Sequence, residues 1–189
     1  PASFPSMLSI SPEGVTEKKD LQADPYAVDF QIEYSATDEI EEAHIRWAEQ
    51  THLAYPDSRI GIFVNQIGRA QTVARELRDR MPNSRILCLH SRMLPAHRKR
   101  VVEELLRSAG TRGKDASGGL ILVCTQAGEM SLDVDLDFLC TDLSPAPSLI
   151  QRFGRQWRAR GSENLFSRIA RTSNQMVRFF APGEAGDVD

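Results

Sequence analysis

The sequence predicts an α/β fold in three layers, a mostly parallel sheet flanked by helices, with an irregular N-terminal arm. Two observations carry this. From residue 57 onward, short apolar runs rich in β-branched residues alternate with amphipathic stretches of helical spacing. Alternation of this kind builds parallel strands joined by crossover helices, which cover both faces of the sheet. The length of 189 residues agrees, being enough for one compact domain and an arm.

The elements follow in chain order. Residues 1–36 read as an arm or linker from a preceding domain, 37–182 as the folded domain and 183–189 as a tail. TDEIEEAHIRWAEQTHLAYP (37–56) predicts a helix, with Ile40, Ala43, Trp47 and Ala48 on one face, Thr37 as N-cap and Pro56 beyond the end. RIGIFVNQ (59–66) is a strand, and QIGRAQTVARELRDRM (66–81) is a helix with Ile67, Ala70, Val73, Ala74, Leu77 and Met81 inward. RILCLH (85–90) is a second strand, and PAHRKRVVEELLRSAG (95–110) a helix opened by Pro95 and stopped by Gly110. After a Gly/Ser/Lys tip come the strands LILVCT and DFLCTD, a helix over SLIQRFGRQWRARG (148–161), and a fifth strand, QMVRFFAP.

Composition narrows the function classes. No apolar run approaches the length of a membrane span. The chain opens at Pro1 without basic or apolar signal regions, so no secretory signal is expected and it reads as a piece of something longer. Cys88, Cys124 and Cys140 fall in separate apolar runs with no C-x-x-C spacing, as buried thiols of a reducing, cytoplasmic compartment do. The four histidines form no ligand pair, so no metal site is expected. Net charge is −3, but residues 1–58 hold 3 Lys+Arg against 12 Asp+Glu, leaving 20 against 14 for the remainder. The basic part suits a polyanion.

Two apparent nucleotide motifs fail on context. DEIE (38–41) opens an amphipathic helix, whereas an acidic metal box ends an apolar strand; an acidic first turn favoured by the helix dipole explains it. GTRGK (110–114) has Ser108 where a phosphate loop needs its first glycine and Asp115 where it needs a hydroxyl. The chain by itself is not expected to bind ATP tightly.

Arg152, Arg155, Arg158 and Arg160 crowd into 148–161. At about 100° per residue, a helix would present Gln151, Arg155 and Arg158 on one face, with Arg152 at its margin, and pack Ile150, Phe153 and Trp157 on the other. Gly154 costs about 1 kcal/mol in such a helix, which a purely solvated face gives no reason to bear. The guanidinium is a planar, permanently charged fork suited to phosphate.

QRFGRQWR (151–158) resembles motif VI of superfamily 2 helicases, Q/H-R-x-G-R-x-x-R, and TQAGEMSLDVD (125–135) resembles their motif V, in the right order and spacing. LHSRM (89–93), and the TDL strand end ahead of Gln-Arg, narrow the likeness to the CRISPR-associated helicase-nuclease of type I systems. The resemblance covers residues 59–182 and implies a complete second RecA-like domain. Ser131 stands where most helicases have Gly, Trp157 where this family more often shows His, and Met130 where Gln is common. MLSISPEG (7–14) is open to two readings, a diverged LSATP motif III or plain arm. A histidine-aspartate nuclease domain has no counterpart here.

The resemblance implies a motor that clamps ATP and Mg²⁺ between two RecA-like domains, the first supplying the phosphate loop and the acidic box. Arg155 and Arg158 would be arginine fingers reaching the γ-phosphate, worth about 10³–10⁵ in rate. Gln151 would set the helix against the nucleotide, Asp133 would meet the ribose or the interdomain network, and Gly154 would permit close approach. Thr125, Asn65 and Arg92, at carboxyl ends of strands where α/β proteins bind ligands, would hold the backbone of single-stranded DNA. Glu129 would couple DNA grip to nucleotide. Strand-end turns, a surface charge and a loop carboxylate remain plain alternatives for Thr125 and Asn65, Arg92 and Glu129 respectively. Expected partners are single-stranded DNA, the N-terminal RecA-like domain of the same protein and a CRISPR surveillance complex. The alternatives are another superfamily 2 DNA or RNA helicase, or a non-catalytic nucleic-acid-binding module of RecA-like fold.

Overall fold

In a computed structural model, the structure describes residues 6–11, 14–20, 28–36, 38–110, 118–128, 132–156 and 175–182. A six-stranded sheet runs in the order β3 (Val28–Ser35), β8 (Gln175–Pro182), β7 (Phe138–Asp142), β4 (Arg59–Phe63), β6 (Leu120–Cys124), β5 (Ile86–Leu89). Every neighbouring pair in it is parallel. Separately, β1 (Ser6–Ser11) and β2 (Gly14–Asp20) form an antiparallel pair.

Period-two alternation divides the apolar residues of the central strands between two cores. Ile60, Ile62, Ile121, Val123 and Ile86 face α1 (Ile40–Ala54) and α2 (Ile67–Arg80), through Ile45, Ala48, Val73 and Leu77. Phe63, Leu120, Leu122, Leu87 and Leu89 face the other way, onto Val101, Leu105 and Ala109 of α3 (Pro95–Ala109). Leu149 and Phe153 of α4 (Ala146–Phe153) join that second cluster. Strands covered on both faces read as continuous hydrophobic runs, and these do. The expected three-layer fold is present, with the helices on both faces.

Two local expectations differ. The arm before residue 37 contains a strand of the main sheet: VDFQIEYS alternates Val28, Phe30, Ile32 and Tyr34 with polar residues, and pairs over its whole length with β8. Helix α1 begins at Ile40 behind Glu39, not behind a Thr37 cap; Thr37 lies outside the described residues. Of the acidic box, Glu41 lies in that helix's first turn and pairs with Arg69; the next residue, Glu42, pairs with Arg80. Cys88, Cys124 and Cys140 are free thiols. No helix among the described residues is long and apolar enough to cross a membrane.

Candidate functional site

The parallel register brings the carboxyl ends of β7, β4, β6 and β5 into one row. Phe63 pairs with both Thr141 and Cys124, and Cys124 with Leu89. Beyond the strands, the Val64 amide donates to Cys124 (2.9 Å) and the Thr125 amide to Leu89 (3.2 Å). Asn65, Thr125 and Arg92, far apart in sequence, therefore share one edge of the sheet.

Their side chains differ in what they offer. Arg92 is exposed in the turn after β5. Beside it, the start of α3 carries exposed His97, Arg98, Lys99 and Arg100 and no acidic residue in its first turn. Cations at a helix N-terminus oppose the dipole, so this cluster favours an anionic partner. His90, 7% exposed, is held below the usual histidine range by burial first and then by the positive charge of His97 and Arg92. Thr125 is only 3% exposed, and its carbonyl closes the turn by accepting from Gly128. Asn65 is exposed, yet both ends of its amide are engaged: Nδ2 donates to the Leu143 carbonyl (2.7 Å), and Oδ1 accepts from Arg152 (3.1 Å).

The arginine-rich helix is shorter than expected and turned the other way. It ends at Phe153; Gly154 and Arg155 form a turn, and Gln156 bridges to Leu136. Leu149, Arg152 and Phe153, spaced for one helix face, point inward, while Ile150 is 67% exposed. Arg152 is fully buried and Arg155 is 6% exposed, so the two do not form the outward basic face expected of them. Arg155 donates to the carbonyl of Leu132. That contact ties the turn to the segment holding Asp133, which is half-buried. Gln151 and Gly154 are exposed. Arg158 and Glu129 lie outside the described residues.

Sequence reasoning missed the hub of this region, Asp142, at the end of the TDL strand. Its Oδ1 accepts from His44 Nε2 (2.8 Å), and its Oδ2 from the Asn65 amide (2.7 Å) and Arg69 Nη1 (2.8 Å). Burial alone would raise this carboxyl; the His44 ring, the Asn65 amide and the Arg69 guanidinium outweigh it and hold it below the usual carboxylate range. A carboxylate ending an apolar strand was the available signal. A second buried carboxylate, Asp137, accepts from the Arg59 amide (2.7 Å), and its carbonyl from Gln156 (3.0 Å).

Gln151 and Gly154 present an amide and an open backbone, but no group of three or more His, Cys, Asp or Glu among the described residues is placed to hold a metal ion. A phosphate loop is absent from the sequence.

Comparison with known proteins bears on the family and the fold. A family model described as "CRISPR-associated nuclease/helicase Cas3, C-terminal" matches residues 56–161. The CRISPR-associated nuclease/helicase Cas3 of Streptococcus thermophilus is 36% identical over 96 residues, covering 51% of this chain and 10% of that protein. The crystal structure of T. fusca Cas3-ADP superposes with a TM-score of 0.79 at 22% identity, over 98% of this chain and 22% of that one. A CRISPR RNA-guided surveillance complex in a pre-nicking state contains a chain with a TM-score of 0.69 at 21% identity, over 97% of this chain and 23% of that one. The present chain thus spans about a tenth to a quarter of these relatives. With more than half of its residues matched by the family model, it belongs to the CRISPR-associated nuclease/helicase Cas3 family and carries the C-terminal, RecA-like part of that fold.

Proposed function

We propose that this domain is the second motor half of an ATP-dependent helicase that moves along single-stranded DNA in CRISPR interference. The observation that carries the reading is the row of strand ends. It sets an exposed cationic edge, Arg92 and the start of α3, at the carboxyl ends of the sheet, and α4, which follows the end of β7, exposes Gln151 ahead of the turn at Gly154. Family membership supplies the class of reaction, and the likeness to a chain in a surveillance complex supports recruitment to such a complex.

In this reading the chain holds DNA through its backbone, by charge and without reading sequence. Arg92 is the phosphate contact, buried Thr125 shapes the turn beside it, and Asn65 orders the loop between. On the nucleotide side, Gln151 sets α4 against the ligand, Asp133 faces the ribose or the interdomain network, and Glu129 couples the two sides. Arg158 is the arginine finger, and Arg155, bonded to Leu132, fixes the turn that precedes it in the chain. ATP with Mg²⁺ supplies the phosphoryl group whose transfer releases the driving free energy; the phosphate loop and metal ligands come from an N-terminal RecA-like domain of the same protein.

The test is ATP turnover by the complete protein, with and without single-stranded DNA, in wild type and Arg158→Ala. DNA-stimulated turnover falling by about 10³-fold or more in the variant is expected of a finger. Turnover indifferent to Arg158 would favour a nucleic-acid-binding module that keeps only the scaffold.

A further inference from the structure

We infer that Arg152 is a positioning residue that couples the two sides of the motor, by tying the loop after β4 to helix α4. The inference rests on the proposed function and assigns a task to a residue that the finger and grip roles leave unused.

The geometry is specific. The Arg152 guanidinium forks across two elements: Nη1 lies 2.5 Å from Thr141 Oγ1 and 3.2 Å from the Asp142 carbonyl, while Nη2 reaches Asn65 Oδ1 at 3.1 Å. Its carbon centre sits 5.8 Å from the centroid of the Phe63 ring. Asn65 is in turn held at its own amide by Asp142 and at Nδ2 by the Leu143 carbonyl. Asp142 is fixed from α1 by His44 and from α2 by Arg69, which also pairs with Glu41. One guanidinium thus joins α4, which leads into the exposed turn at Gly154, to the loop standing between Arg92 and the end of β7.

Stability alone gives little reason for an arginine at this position. It shares its helix face with Leu149 and Phe153, and a fully buried charge carries a desolvation cost that an apolar side chain of similar size avoids. What the guanidinium adds is a directional link. Hydrogen bonds weaken steeply when misaligned, so a displacement of α4 on nucleotide binding is felt at Asn65 instead of being absorbed by adaptable apolar contacts. The same link runs in reverse, because coupling between two sites is reciprocal.

The experiment uses the complete protein and three readouts: turnover without DNA, turnover at saturating single-stranded DNA, and affinity for that DNA. In Arg152→Met, stimulation at saturation is expected to fall about tenfold, the size of a typical coupling. Basal turnover and DNA affinity should change by no more than about twofold, as for a residue that touches neither ligand. Arg152→Lys keeps the charge but loses the fork, and it carries the test with the same expected loss if the Met variant does not fold. In the double variant with Asn65→Ala, stimulation should fall no further than in the lower of the two single variants, because both remove one link. Independent, multiplicative losses, or stimulation retained in both Arg152 variants, would overturn the coupling while leaving the motor reading intact. Basal and stimulated turnover falling in parallel would assign Arg152 a merely structural role. A wild type with no DNA-stimulated turnover would overturn the motor reading, and the coupling with it.

Discussion

Arg155 donates to the main-chain carbonyl of Leu132, which places a motif VI arginine against the motif V segment instead of in open solvent. Both partners are buried, at 6% and 8% exposure. Arg155→Ala removes the donor and leaves the carbonyl without that bond, so the folded state is expected to lose about 2–4 kcal/mol. Denaturant unfolding of the chain measures it. An arginine whose only task was to reach a phosphate on another domain would leave the unfolding midpoint where it was.

Gly154 offers the opposite case. Its backbone sits at φ −63° and ψ 0°, open to any residue, and an added Cβ would meet the Ile150 and Gln151 carbonyls at 3.4 and 3.6 Å, ordinary contact distances. The domain's own fold does not require glycine there. Gly154→Ala should therefore hold stability constant or raise it by up to about 1 kcal/mol through the unfolded chain's lost freedom. In the complete protein the same change should slow ATP turnover by about 10–100-fold, because a methyl group displaces a close-fitting partner by about an ångström. Unchanged turnover would remove Gly154 from the nucleotide side.

The contrast between these positions marks where sequence pattern is informative. Ile60, Ile62, Ile121 and Val123 were legible because local alternation alone assigns them to a sheet buried on both faces. β3 was not, since an alternating strand between acidic residues makes sense only beside β8, whose pairing partners lie nearly 150 residues away. The order and spacing of Thr125, Asp133, Gln151 and Arg155 were legible as motifs. The inward turn of Arg152 was not, because a helical wheel treats arginine as polar and cannot see the acceptors that Thr141, Asp142 and Asn65 bring from other elements. The helix also stopped early, at a bridge between Gln156 and Leu136 that no local signal announces.

Asp137 predicts a pH dependence. Burial, and to a lesser degree the neighbouring charge of Asp135, push its carboxyl up to about 6, against the opposing pull of the Arg59 amide and guanidinium. The folded state therefore binds this proton more tightly than the unfolded state, for which 3.8 applies. Its contribution is fully present below about pH 4 and is lost as pH rises through about 6. The gap amounts to about 3 kcal/mol. Asp137→Asn keeps an oxygen for the Arg59 amide and removes the titration. Stability measured from pH 4 to 7 should fall in the wild type relative to the variant, and parallel curves would show that Asp137 is ionised throughout.

The last prediction separates charge from shape at the proposed DNA edge. Arg92 is exposed among His97, Arg98, Lys99 and Arg100, whereas Thr125 is 3% exposed. A phosphate contact releases a counterion, so binding to single-stranded DNA weakens with salt at a slope of about 0.7 per contact. Arg92→Ala should weaken binding at low salt and flatten that slope by about one contact. Thr125→Val carries no charge change and should leave the slope unaltered, whatever it does to the turn closed by Gly128. The measurement is a titration of the chain with fluorescent single-stranded oligonucleotide across a salt series. A slope that Arg92→Ala leaves unchanged would move the DNA off this edge, and the row of strand ends would then need another ligand to explain why α3 begins with four exposed basic side chains and no acidic residue in its first turn.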